Sequence, residues 1–138
     1  MVVVFYSDFT LKQCTIMVQK NGTNNCRCCL CVTVASLPPQ IGSLQRLETL
    51  MVEHNRITSL PPTVEGLKSL RHISLAHNDL RAFPVQLCAI RTLDVIDLSH
   101  NKLTDVPDAI RDLNAIELNV NQNQVKEILS VSLMIWCF

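Results

Sequence analysis

Four cysteines fall within six residues, Cys26-Arg27-Cys28-Cys29-Leu30-Cys31. They make two overlapping C-x-x-C pairs, and four thiolates are the donor set of a structural zinc or iron–sulfur site. Two independent knuckles need more chain between them, and Cys14 is the one further sulfur close by. Met1 to Tyr6 is a very short apolar stretch broken by Asp8, which is no secretory signal. Without secretion the Asn21-Gly22-Thr23 sequon has no role and free thiols are the default, with a disulfide-bonded cap as one alternative. The expectation for Cys26, Cys28, Cys29 and Cys31 is free thiols and no metal. A metal- or redox-responsive segment is the alternative.

His54, His77 and His100 make a second pattern, each preceding an asparagine at a fixed interval. On neighbouring strands, ~4.8 Å apart, such imidazoles could share a metal or repel one another when protonated. The plainer reading is a solvent-facing position that tolerates any polar residue, since Gln122 occupies it a fourth time. No Ser/His/Asp or Cys/His arrangement with an oxyanion site can be drawn. His77-Asn78-Asp79 is repeat sequence, and Cys88, next to Leu87, reads as a small packed apolar residue. The expectation is therefore no catalytic residue, no cofactor, no metal and no enzyme.

The element behind these positions is a repeat. Leu47-Glu-Thr-Leu50-Met-Val52-Glu-His-Asn55 recurs as Leu70 to Asn78, as Leu93 to Asn101, and more loosely as Ala115 to Asn123. The asparagines stand 23, 23 and 22 residues apart. Apolar residues follow at fixed offsets (Ile57, Leu80, Leu103, Val125, then Leu60, Phe83, Val106, Ile128), and Pro61, Pro84 and Pro107 come next. A partial unit, Val34 to Leu44, fits one period earlier. Alternation at Leu50/Val52, Ile73/Leu75 and Ile96/Leu98 predicts short strands with one buried face. Repeated in one direction, they make a parallel sheet with the return path behind it. Asn55, Asn78, Asn101 and Asn123 sit where the chain leaves each strand. An inward amide there, with two donors and an acceptor, can serve the backbone groups that the ladder leaves unpaired. Val64/Leu67, Leu87/Ile90 and Ile110/Leu113, each three apart, predict a helical turn on the outer side.

This pattern resembles the leucine-rich-repeat family, of the short intracellular 23-residue type with Leu-Pro in each unit, over roughly residues 34 to 129. The resemblance implies an α/β solenoid of about four rungs, with the parallel sheet on the concave face and short helical or irregular convex segments. It also implies a non-enzymatic protein-interaction module in the cytoplasm, an adaptor or scaffold; a regulatory subunit of a phosphatase or ubiquitin ligase is the alternative. Residues 1–33 do not fit the repeat. One period before Asn55 the ladder position is Val32, and the strand positions are Asn24, Arg27 and Cys29. Val2 leaves no glycine for an N-myristoyl anchor. Residues 130–138 carry neither repeat nor polar cap. The expectation is an array cut at both ends, a fragment or alternative product, that self-associates through uncapped rungs and the apolar tail.

By alternation the outward strand residues are Thr49, Met51 and Glu53; His72, Ser74 and Ala76; Val95, Asp97 and Ser99; Glu117, Asn119 and Asn121. In this family such a face resembles a protein-binding platform, because a rigid curved sheet presents side chains without an ordering cost. Four rungs offer roughly 320 Å² of flat area, short of the about 800 Å² that each partner buries in a standard interface.

Composition excludes other classes. Twelve basic side chains balance twelve acidic ones in 138 residues, so the excess that phosphate tracking needs is missing, and no nucleic-acid partner is expected. At 48% hydrophobic the chain is no disordered tail, yet no apolar run reaches the ~18 to 20 residues of a membrane span.

Overall fold

Each of the three full repeats contributes one three-residue strand, one bend, and one turn of 3-10 helix. The computed structural model describes the backbone of Asn25–Arg27 and all of residues 35–125. The side chains of the Cys26–Cys31 cluster, the end of the repeat region beyond residue 125 and the tail 130–138 lie outside the described residues. Strands β2 (Thr49–Met51), β3 (His72–Ser74), β4 (Val95–Asp97) and β5 (Glu117–Asn119) are the four that the period predicts. They pair in parallel and in sequence order, with Leu50, Ile73, Ile96 and Leu118 in one row of the register. That row is at most 3% exposed, as period-two alternation requires of an inward face.

The sheet begins one strand earlier than the repeat pattern does. Asn25–Arg27 forms β1, parallel to β2, with Cys26 opposite Leu50 and Arg27 opposite Met51. Counting back one 23-residue period from Leu50 puts Arg27 in that row; the observed pairing is shifted by one residue. The pairing is made by backbone N–H and C=O groups, which carry no leucine signature, so a strand can form there without one.

Behind the sheet, the convex turns Pro39–Ser43, Pro62–Gly66, Val85–Ala89 and Asp108–Asp112 are 3-10 helices. Apolar residues three apart suit three residues per turn, so the predicted helical turn tightens rather than becoming α. Pro38, Pro61, Pro84 and Pro107 stand just before these turns with φ between −67° and −74°. Each offers its carbonyl to an N–H three residues on, those of Ile41, Val64, Leu87 and Ile110, at 3.0–3.1 Å. Proline is suited to that place because its φ is already set and its missing N–H is not needed. The first two turns approach so closely that a Cβ on Gly42 would lie 2.1 Å from the Thr63 carbonyl oxygen, and one on Gly66 would lie 2.6 Å from that of Gly42. Only hydrogen fits between them.

Leucine, isoleucine, valine and Phe83 from sheet, bend and turn form one continuous core from Leu37 to Leu118. Among the described residues no helix is long and apolar enough to cross a membrane.

Candidate functional site

The bend after each strand is built by two adjacent residues with different duties. The first takes the left-handed conformation: His54, His77, His100 and Gln122 have φ of 53–56°. Most side chains resist that region, and histidine is among the few that enter it more readily. This corrects the expectation of a position open to any polar residue. A β-branched side chain would be strained there, however well hydrated. The backbone N–H groups of the three histidines still donate across the sheet, to Ala76, Ser99 and Asn121 carbonyls at 3.0–3.1 Å.

The second residue is the asparagine. Asn78 Oδ1 accepts from the Ile57 N–H at 2.9 Å, while Nδ2 donates to the Val52, Leu75 and Ala76 carbonyls at 3.0, 2.9 and 3.2 Å. Asn101 does the same one rung on, toward Leu80 N–H and the Leu75, Leu98 and Ser99 carbonyls. Asn123 continues with Leu103 N–H and the Leu98, Val120 and Asn121 carbonyls. Asn55 donates to Val52 and Glu53. The amides of Asn78, Asn101 and Asn123 thus tie their own bends to the preceding rung. Buried amides in a low-dielectric setting hold that geometry rigidly.

On the opposite side of the strands the outward residues line up in register. Thr49, His72, Val95 and Glu117 form one row; Met51, Ser74, Asp97 and Asn119 form the next. Glu53, Ala76, Ser99 and Asn121 follow where the strands end. Asp97 Oδ1 accepts from the Ser99 N–H at 2.9 Å, and Asn119 Oδ1 accepts from the Asn121 N–H at 3.1 Å, so both side chains are held at the strand ends.

The face is not uniformly open. Ser74 and Ser99, expected to be exposed, are each 7% exposed, and Ala76 is 6% exposed. A strand residue in mid-sheet has neighbours on both sides, and larger side chains there overshadow a small one. His72, Glu117 and Asn121 are exposed; Thr49, Met51, Glu53, Val95, Asp97 and Asn119 are half-buried. The result is a trough floored by small residues and walled by larger ones. Alternation in the sequence assigned the face but carried no information about which side chains are shaded. The Ser74 hydroxyl is buried without a hydrogen-bond partner. Ser74→Ala should therefore leave stability within about 0.5 kcal/mol of the parent or raise it slightly, since no bond is lost. A urea midpoint showing a loss beyond about 1 kcal/mol would contradict that.

The three histidines stack along the edge of this face. Ring centroids lie 4.3 Å apart for His54–His77 and 4.1 Å for His77–His100, with planes within 13° and 10° of parallel. Parallel rings aim their nitrogen lone pairs side by side rather than at a common point, which is poor geometry for chelation. No group of three or more metal-ligating side chains converges among the described residues. The middle imidazole, His77, has its pKa lowered: its neighbours remove water from both ring faces, and His100 and His54 oppose a further positive charge. Asp97 and Glu53 pull the other way. Cys88 is buried, which pushes its thiol pKa up and leaves it protonated.

Residues 34–87 match a family model described as leucine rich repeat, and residues 92–113 match a second model of the same description. Together they cover more than half of the chain. Among solved structures, an LRR protein from Leptospira interrogans is similar to it at 32% identity with a TM-score of 0.64. That match covers 67% of this chain and 24% of the other, so the chain spans about a quarter of that protein's length. No curated protein matches.

Proposed function

This chain belongs to the leucine-rich-repeat family, and we propose that it is a non-enzymatic protein-interaction module whose concave sheet face binds the partner. Leucine-rich repeats generally mediate protein–protein interaction, and this face has the rigidity that such binding rewards. The parallel register carries the reading. In this reading Thr49, Met51, Glu53, His72, Ser74, Val95, Asp97, Ser99, Glu117, Asn119 and Asn121 share one surface, supported by the register of the strand residues among them. Those side chains are held by an asparagine-braced backbone, so binding them costs little ordering entropy. Ser74 and Ser99 act as floor rather than as contacts.

The repeat domain in this reading is residues 34–129, between an N-terminal segment 1–33, which adds β1 to the sheet, and a tail 130–138. The buried free thiol of Cys88 suits a reducing compartment, and we place the module in the cytoplasm. Within the family, Gln86 to Asn101 and Ile116 to Gln124 resemble leucine-rich repeat-containing protein 57.

The test is a partner captured on the immobilised chain, purified, and titrated against variants. Met51→Arg and Asn119→Arg should each weaken binding by roughly tenfold or more, the scale of a disrupted interface contact. Ala82→Arg, at an exposed position outside the face, should change it less than about twofold. The opposite ranking would place the interface elsewhere.

A further inference from the structure

Charge is segregated on this chain in a way its neutral total conceals. Eight lysines and arginines lie among the fully described residues: Arg46, Arg56, Lys68, Arg71, Arg81, Arg91, Lys102 and Arg111. None occupies an outward position of β2 to β5, where the charged groups are Glu53, Asp97 and Glu117. Arg27 holds the equivalent register position on β1, opposite Met51 and three strands away from Asp97. Toward β4 and β5 the trough is therefore purely acidic. Four exposed imidazoles border the same surface: His72 within it, and the stacked His54, His77 and His100 along its edge.

We propose that the occupant of the concave face is a lysine- or arginine-rich segment of a partner protein, bound at neutral pH and released on mild acidification as the imidazoles along the face become charged. This rests on the concave-face reading above and adds to it the chemistry of the partner. At neutral pH an imidazole is in general mostly uncharged, and the carboxylates steer and hold cationic side chains. Every imidazole that gains a proton on acidification adds a positive charge beside the three carboxylates, and a basic segment meets repulsion. Stacking spreads the transition. The rings at 4.1–4.3 Å cannot all charge together cheaply, and His77, the sandwiched one, takes its proton at a lower pH than an ordinary imidazole. Facing the column are Glu53 and Asp97 from the strands. His72 and Glu117 stand farther along the rows. Arg56, Asp79 and Lys102 follow the asparagines of the bends, with Asp79 already paired to Lys102 at 2.5 Å.

The probes are two fluorescein-labelled peptides of equal length, one alternating Arg and Ser, the other Glu and Ser, titrated into the full chain at low ionic strength. The Arg peptide should bind and the Glu peptide should not. Between about pH 7.5 and 5.5 the affinity for the Arg peptide should fall roughly tenfold, the scale of several screened charges within a Debye length. Carboxylates in general stay ionised across that window, so the change reports the imidazoles. Asp97→Asn with Glu117→Gln should lower affinity at both pH values. The variant His54→Gln, His77→Gln, His100→Gln should bind as well as the parent at the higher pH and lose most of the pH dependence. Glutamine already holds the left-handed conformation at Gln122, with φ of 56°, so these substitutions keep the bend. Preference for the Glu peptide, affinity that is flat or rises on acidification, or a pH dependence that survives the glutamine variant would each overturn the proposal. A natural partner that is weakened by Met51→Arg yet indifferent to Asp97→Asn and to pH would also overturn it, while leaving the concave face as the binding surface.

Discussion

Leu75→Ala is expected to cost the folded array about 2 to 5 kcal/mol, a large share of a typical domain's stability. Leu75 is wholly buried and sits immediately after β3. Its side chain lies in the row that also holds Val52, Leu98 and Val120, so truncation opens a cavity between the rungs of β2 and β4 rather than at a surface. In a repeat array, stability is a sum of rungs and their interfaces, and a central loss weakens two interfaces at once. The backbone bonds at Leu75, its N–H to Asp97 and its carbonyl to two asparagines, survive the substitution. The cost is then one of packing. Thermal unfolding followed by circular dichroism should fall by ~4 to 8 °C per kcal/mol in a domain of this size. Leu98→Ala should behave alike, and a melting point within a degree or two of the parent would show that the row is not the core.

Asn78→Ala should cost about 1 to 3 kcal/mol, and the reason is narrower than a count of its four hydrogen bonds suggests. The three carbonyls it serves keep other donors: Val52 from Asn55, Leu75 from Asn101, and Ala76 from the His54 N–H. The Ile57 N–H, deep in the core, has Asn78 Oδ1 as its acceptor and is orphaned by the change. The penalty of one buried unsatisfied donor therefore sets the scale. Asn78→Asp separates this from simple loss of volume. A carboxylate could still accept from Ile57, but it would place negative charge against three carbonyl oxygens, so it should be at least as damaging as alanine at neutral pH. Denaturant midpoints of the two variants decide the matter. Asp behaving like the parent would mean that the donated bonds carry nothing.

The sequence alone determined the architecture, because a solenoid is a one-dimensional object. A 23-residue recurrence with period-two apolar pairs leaves a parallel sheet with its return path behind as the arrangement that buries every leucine, and the observed rows through Leu50, Ile73, Ile96 and Leu118 follow it. Apolar residues three apart marked the convex turns for the same reason of local period. Three features were decided only by tertiary contact. β1 pairs through its backbone, which no side-chain pattern announces. Ser74, Ala76 and Ser99 are shaded by residues about 23 positions away in sequence, so alternation named their side of the sheet without their exposure. Gly42 and Gly66 matter because two turns meet, and neither glycine is marked by its own neighbours. The histidines fall between the two cases. Their spacing was plain in the chain, but the left-handed backbone that admits them, and the stacking that couples their charges, exist only once adjacent rungs are brought within van der Waals range.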